Sequence, residues 1–458
     1  MQLTNAQKLI QVILDRMMHL QFLQYDNPSV MLLLSIAAIS SIIFFLRRHR
    51  RLPVLLLDYS CHLSDPERRC TLDLFEYICL RSRLFNPESC SFMTSIFRKS
   101  GLSRETYTPP YLFQPPLLLS SKHPLAIQEA EEGLFAAVSS LLNKTDVPPE
   151  KISHLIVACS MFSPTPSLTS MLVTRFGFTD SVKTYNLSGM GCSGGTTCID
   201  LATRLLCQKP GYALVAVTES NGINWYFGND RNMLIPNCIF RVGSAAILLS
   251  SDPALRDSAK MEILHTLRTH HGTDDSAYKA GYQMEDADGN LGIAISKDLV
   301  RVAAVGLKRH VSLLASKVLP LSEIARYAFK VGLSCMTGNK KAIASQVPDF
   351  MKAFEHVCIH AGGKAVIEAM GKSLRLGHDV MEPARMTLHR FGNTSSSLVF
   401  YELAYLEAKG RLKEGDRIWM LAFGTGFKAC TIVLRVLKDS SIGSDNPWIH
   451  CVSRYPIS

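Results

Sequence analysis

Only 19% of the 458 residues are charged, and the net charge of +10 is scattered apart from one cluster, Arg47-Arg48-His49-Arg50-Arg51. The sequence therefore lacks the basic stripe of a nucleic-acid binder, and no nucleic-acid partner is expected. It lacks a disulfide framework too. Its 13 cysteines are spread over a long chain without a CxxC pair or clustered spacing, so most are expected to be reduced, buried and inert. Cys358 and His360 stand two apart, but no second pair accompanies them, and no metal site is expected. No P-loop occurs, and Gly424-Thr425-Gly426 is too short and wrongly placed for a dinucleotide fingerprint. An NAD or ATP enzyme is thereby disfavoured, and no cofactor is assigned.

Long apolar runs are also scarce. One run, Ser29 to Leu46, contains 18 residues without a charge, at the lower edge of what crosses a hydrocarbon core of roughly 30 Å. It is read as a transmembrane helix, 29–46, within an amino-terminal anchor region, 1–51. The arginines that follow it place the remaining chain in the cytosol by the positive-inside rule. Upstream, Leu9, Ile10, Ile13, Leu14 and Met17 recur at helical spacing beside Asp15 and Arg16, the pattern of an interfacial helix.

What is present is 47% hydrophobic, enough for one large core or two fused smaller ones. Residues 52–145 form a mixed segment in which a Pro-rich loop, Thr108 to Pro116, precedes an amphipathic helix from Leu125 to Leu142. From Ile152 short β-branched runs alternate with helical patterns, predicting strand-helix-strand units around a mostly parallel sheet. Leu155 to Cys159, Val182 to Leu187 and Tyr212 to Thr218 are the strands, with helices from Ser167 and from Thr196 to Leu206.

The same order recurs about two hundred residues later, a second copy of one unit. His356 to Ile359, Met386 to Arg390 and Arg417 to Phe423 are its strands; Lys364 to Leu374 and Tyr401 to Lys409 are its helices. The chain thus reads as an α/β protein with two pseudo-repeated halves, 146–345 and 346–440, and a carboxy-terminal tail, 441–458.

Ligands of α/β sheets gather at the carboxyl ends of strands. Cys192 lies there in the first half, and His360 and Asn393 in the second. Cys192 is flanked by Gly189, Gly191, Gly194 and Gly195, which permit a sharp turn and close approach of a thioester to backbone N–H groups. A cysteine at a helix start is also expected to favour thiolate. His360 leaves its strand where the chain turns at Gly362-Gly363; His356 and His389 compete with it, and His389 is read as supporting the site from inside a strand. Asn393, in Gly392-Asn393-Thr394-Ser395, suits a helix cap, but beside a cysteine and a histidine its amide can stabilise a thioester enolate.

The segments Asn186 to Gly195, Asn224 to Arg231, Arg268-Thr269-His270, Cys358 to Gly363 and His389 to Ser395 closely resemble the plant 3-ketoacyl-CoA synthases of fatty acid elongation, over about Val54 to Leu437. The resemblance implies a thiolase fold of layered αβαβα arrangement and a cysteine-histidine-asparagine set matching Cys192, His360 and Asn393. His270, His356, His389, Gly191, Gly424 and Gly426 are the supporting candidates. It further implies long-chain acyl-CoA and malonyl-CoA as substrates, a homodimer at the endoplasmic reticulum membrane, and a ketoacyl reductase, a dehydratase and an enoyl reductase as partners. Two departures stand out: relatives usually carry two amino-terminal spans, and many have alanine in place of Gly194. Two rival readings remain, a cysteine hydrolase, which lacks its local Cys-Gly-Ser-Cys signature here, and a catalytically silent elongase subunit.

Overall fold

Five of the eight strand pairings in the main sheet are antiparallel, so the sheet is mixed rather than mostly parallel. The computed structural model describes residues 52–109, 112, 122–336, 347–360 and 362–457. The expected anchor, with its span 29–46, lies outside the described residues, as does most of the Pro-rich loop. Among the described residues no helix is long and apolar enough to cross a membrane.

The chain opens with strand β1 (Val54–Cys61) and helices α1 (Leu72–Ser82), α2 (Pro87–Lys99) and α3 (Lys122–Thr145). The first strand-helix units follow as β2 (Ile152–Ala158), α4 (Leu168–Phe176), β3 (Lys183–Leu187), α5 (Gly194–Leu206), β4 (Tyr212–Val217), α6 (Arg231–Ile239) and β5 (Ala245–Ser250). Then come β6 (Met261–His270), the short α7 (Asp275–Tyr278), the hairpin β7 (Gly281–Glu285) and β8 (Leu291–Ile295), and α8 (Leu299–Val318) with α9 (Leu321–Met336). The remainder is β9 (His356–Ile359), α10 (Lys364–Leu374), α11 (Glu382–Phe391), α12 (Leu398–Ala408), β10 (Arg417–Gly424) and β11 (Lys428–Val436).

Nine strands form one hydrogen-bonded series, β3-β2-β4-β5-β1-β6-β11-β10-β9. β1 is the middle strand of the series, pairing with β5 along most of its length and with β6 only at Val54 to Leu56. Alternation along the strands sorts their side chains into layers. Val215, Ile247, Met420 and Ile432 face a central layer made of α5 and α12. Their neighbours Leu214 and Leu248 meet α3 and α4 on one outer side. Trp419, Leu421 and Val433 meet α8 and α10 on the other. α12 is buried from Leu398 to Glu407, as a helix enclosed between sheet regions must be.

One expected strand is a helix. Met386 to Arg390 falls inside α11, with His389 in its last turn. Pro383 suits the first helical turn, and Met381, Ala384, Leu388 and Phe391 repeat every three or four residues, a helical and not an alternating period. The residues after 440 are no loose tail either: Trp448 is fully buried, its ring against Phe391, Tyr405 and Tyr455, and its Nε1 donates to the Tyr401 carbonyl at 2.9 Å.

Candidate active site

β3 ends at Leu187 and the chain turns through Gly189 and Gly191, with φ of +64° and +58°, before a short 3-10 turn and α5. In this left-handed region a side chain is strained, so glycine is required. The turn is also crowded. A Cβ at Gly191 would lie 2.6 Å from the Thr425 nitrogen, and one at Gly424 would lie 2.1 Å from the Met190 carbonyl oxygen. Both glycines therefore let the β10–β11 hairpin pack onto the Cys192 turn. Gly189 to Gly194 formally satisfies GxGxxG between a strand and a helix. The helix start is closed, however: a Cβ on Gly194 would meet Ser396 Cβ at 3.1 Å, and one on Gly195 the Ser396 carbonyl oxygen at 2.3 Å. Gly194 and Gly195 therefore serve close packing of α5 against the Asn393 turn.

Asn393 arrives from the second half in the matching place, before a 3-10 turn and the start of α12, although a helix and not a strand leads into it. Its backbone is pinned to the first half, with its N–H donating to Ile239 at 3.0 Å and its carbonyl accepting from Arg241 at 2.9 Å. Its Oδ1 accepts from the Ser395 N–H at 2.9 Å, and its Nδ2 donates to Gly362 at 3.3 Å. The amide has a second N–H besides. His360 directly follows β9, held by its N–H to the Leu421 carbonyl at 2.9 Å. Both its ring nitrogens are buried without a hydrogen-bond partner. Burial lowers its pKa to about 3, so the ring is neutral and keeps one N–H donor.

Cys192, His360 and Asn393 line one cavity of about 240 Å³, together with Gly191 and Gly424. Its far wall is apolar, formed by Ile293, Leu299, Ala303, Val366 and Met370. An adjoining cavity of about 220 Å³ shares Gly189, Gly281, Gln283 and Thr425 with it and is lined by His270, Gly426 and Lys428. The other two histidines stay outside both cavities. His356 bonds Asp416 Oδ2 at 2.9 Å, and His389 Nδ1 bonds the Tyr455 hydroxyl at 3.0 Å. Both tie elements together.

Two residues of the site escaped the sequence reading. Ser395, at a φ of +56°, puts its hydroxyl 3.6 Å from Cys192 Sγ and 3.1 Å from Glu219 Oε2. Glu219 Oε1 also accepts from the Met161 N–H at 2.7 Å and the Cys159 thiol at 3.4 Å. The signal for Glu219 was its place directly after the apolar run of β4, at the ligand end of the sheet. Burial raises the Glu219 pKa and, with the nearby Glu219 charge adding, pushes Cys192 up to about 12; the Ser395 hydrogen bond works in the opposite direction. Desolvation thus opposes the expected thiolate and favours the thiol at rest.

Residues 44–334 match the family model described as FAE1/Type III polyketide synthase-like protein, and residues 351–436 the one described as 3-Oxoacyl-[acyl-carrier-protein (ACP)] synthase III C terminal. A fungal type III polyketide synthase superposes with a TM-score of 0.65 at 18% identity, covering 84% of this chain and 99% of its own. A second such structure, PKS-I from the brown alga Ectocarpus siliculosus, gives 0.65 at 18% identity, over 85% of this chain and 100% of that one. The class is therefore a thiolase-like, type III polyketide synthase-like fold. The sequence is 42% identical to 3-ketoacyl-CoA synthase 17 of Arabidopsis thaliana, over 96% of this chain and 89% of the relative. It is 45% identical to 3-ketoacyl-CoA synthase 2 of the same plant, over 91% of this chain and 79% of the relative. The chain belongs to the 3-ketoacyl-CoA synthase family.

Proposed function

We propose that this protein catalyses the decarboxylative condensation of malonyl-CoA with a long-chain acyl-CoA, giving a 3-ketoacyl-CoA two carbons longer, CO2 and CoA, as the first step of very-long-chain fatty acid elongation. The observation that carries this reading is the single cavity joining Cys192, His360 and Asn393 to an extended apolar wall. Such a wall suits a hydrocarbon tail, and the polar end suits a thioester.

Cys192 Sγ attacks the acyl-CoA carbonyl, the thiol proton passes through Ser395 Oγ toward Glu219, and CoA leaves with a proton, so the acyl group is held on sulfur. Malonyl-CoA then loses CO2, and its enolate oxygen accepts hydrogen bonds from the neutral His360 ring and the free Asn393 N–H. The enolate carbon attacks the acyl carbonyl, forms the new C–C bond and expels Cys192. Backbone N–H groups at the Cys192 turn and the Gly424-Thr425-Gly426 hairpin are the donors assigned to that second oxyanion. No cofactor takes part.

The two halves, 146–345 and 346–440, are read as pseudo-repeats that each contribute one edge of this cavity. Residues 29–46 anchor the protein in the endoplasmic reticulum membrane with the catalytic part in the cytosol. The protein works there as a homodimer beside a ketoacyl reductase, a dehydratase and an enoyl reductase. Membranes holding only this protein, supplied with malonyl-CoA and a panel of acyl-CoAs, should form 3-ketoacyl-CoA. Release of free acid and CoA without malonyl-CoA would instead identify a hydrolase.

A further inference from the structure

A second cavity of about 670 Å³ lies between α8, α9 and α10 and shares no lining residue with the catalytic one. Its size falls within the roughly 300–1,000 Å³ of small-molecule sites. Burial divides its lining in two. Leu307, Val311, Leu319 and Leu374 are buried and form an apolar floor. Lys308, Ser312 and Ser316 on α8, with Lys372 and Arg375 at the end of α10, are exposed and form a polar rim. On α8 the floor residues Leu307, Val311 and Ala315 and the rim residues Lys308, Ser312 and Ser316 each repeat every four positions, so two rows run side by side along one face. The rim carries charge of one sign. Three of its side chains are cationic, and among the described residues no Asp or Glu lines the cavity. Glu323, next to the lining residue Ile324, is held instead by Arg326 at 2.5 Å and by the Asp349 N–H at 3.0 Å.

We infer that this cavity binds a single-chain lipid phosphate, its tail on the apolar floor and its phosphate at the cationic rim, in a site separate from catalysis. The inference does not depend on the condensing function. A phosphate monoester brings nearly two negative charges and three acceptor oxygens. Two lysines, an arginine and the serine hydroxyls match that demand better than they match a singly charged carboxylate. The length agrees as well. From Ala304 to Leu319 the α8 lining runs about 22 Å at 1.5 Å per residue. One bilayer leaflet, half of a roughly 30 Å hydrocarbon core, holds an acyl chain in about 15 Å, which leaves room for a head group. The same helices also present Leu313, Leu321 and Phe329 to solvent, at 48%, 83% and 72% exposure. Such apolar surface suits contact with a bilayer, where a lipid of this kind resides.

The test is equilibrium binding of radiolabelled 1-oleoyl-lysophosphatidate to the full chain purified in neutral detergent. The parent should bind it saturably, one lipid per chain. Lys308→Glu combined with Lys372→Glu replaces attraction by repulsion at two exposed rim positions and should weaken binding by about tenfold or more. Ala315→Trp fills the floor and should weaken it likewise. A urea midpoint equal to the parent's shows that a variant is folded, and if one variant is not, the other decides. Oleyl alcohol, which lacks the charge, and inorganic phosphate, which lacks the tail, should each fail to displace the label. The inference is overturned if the parent shows no saturable binding, or if a folded variant binds as tightly as the parent. It is overturned too if oleic acid displaces the label as well as unlabelled lysophosphatidate does, since a carboxylate would then serve equally.

Discussion

The chemistry of the site turns on desolvation: His360 and Asn393 are buried and Cys192 is half-buried beside them. With its pKa pushed up to about 12, the Cys192 thiol is protonated across the neutral range, and only its small thiolate fraction reacts. Iodoacetamide labelling of Cys192, located by mass spectrometry, should therefore accelerate about tenfold per pH unit from pH 6 to 9 without a plateau. A plateau near neutrality would show a resting thiolate. Acyl-CoA should protect this cysteine, because acylation consumes the same sulfur. His360 and Asn393 act on a different oxygen. His360→Ala and Asn393→Ala should still take an acyl group onto Cys192, measured by intact mass, yet lose about 10²–10³-fold in condensation. Normal condensation by either variant removes that residue from the mechanism. Cys192 and His360 stand out in the sequence because each sits in a glycine-flanked turn at a strand end, whereas Asn393 follows a helix and is singled out by its Gly-Asn-Thr-Ser turn. Glu219 and Ser395 were not legible there, since their closeness to Cys192 comes from residues 27 and 203 positions away meeting in space.

At the scale of elements, the strands and helices with a clean period were legible, and the failure has a physical source. Met386 to Arg390 was fitted to a repeat that demanded a strand, whereas its own residues, with Pro383 before them, have a helical period. Sheet direction was misread for a related reason: an apolar run shows burial on both faces but not the orientation of its neighbours. The segment after 440 is assigned from the sequence as a carboxy-terminal tail. Yet Trp448 fills the gap between Phe391, Tyr405 and Tyr455. Trp448→Ala should cost about 3–5 kcal/mol, read as a lower urea midpoint of the solubilised protein, because a large cavity and the lost Tyr401 hydrogen bond combine. A midpoint within error of the parent would show that the end of the chain is dispensable.

For the molecule as a whole, buried histidines and buried acids pull stability in opposite directions with pH. Burial lowers His62 and His310 to about 4 and His360 to about 3 from 6.5, so their contribution is complete above pH 6.5 and is lost as pH falls toward 4 and 3. Glu129 behaves oppositely. Burial raises it from 4.5 to about 7, so its contribution is complete below pH 4.5 and is lost as pH rises through 7; Glu219 and Glu402 are raised as well. The two sets offset each other between pH 4.5 and 6.5. Below 4.5 only the histidine contribution still changes, joined by ion-paired carboxylates such as Glu105 and Glu132, whose pKa values are lowered. The urea midpoint should thus fall less steeply from pH 6.5 to 4.5 than below pH 4.5. A steady decline beginning at pH 6.5 would show that the acids do not compensate.

The contact of Gly195 with the Ser396 carbonyl also bears on how such a protein can vary through descent. The turn that presents Cys192 and the turn that presents Asn393 press on each other at van der Waals distance, with no space for even one added methyl at Gly195. A side chain at position 195 would require Ser396 to move, so the two turns are coupled although 201 positions of chain separate Gly195 from Ser396.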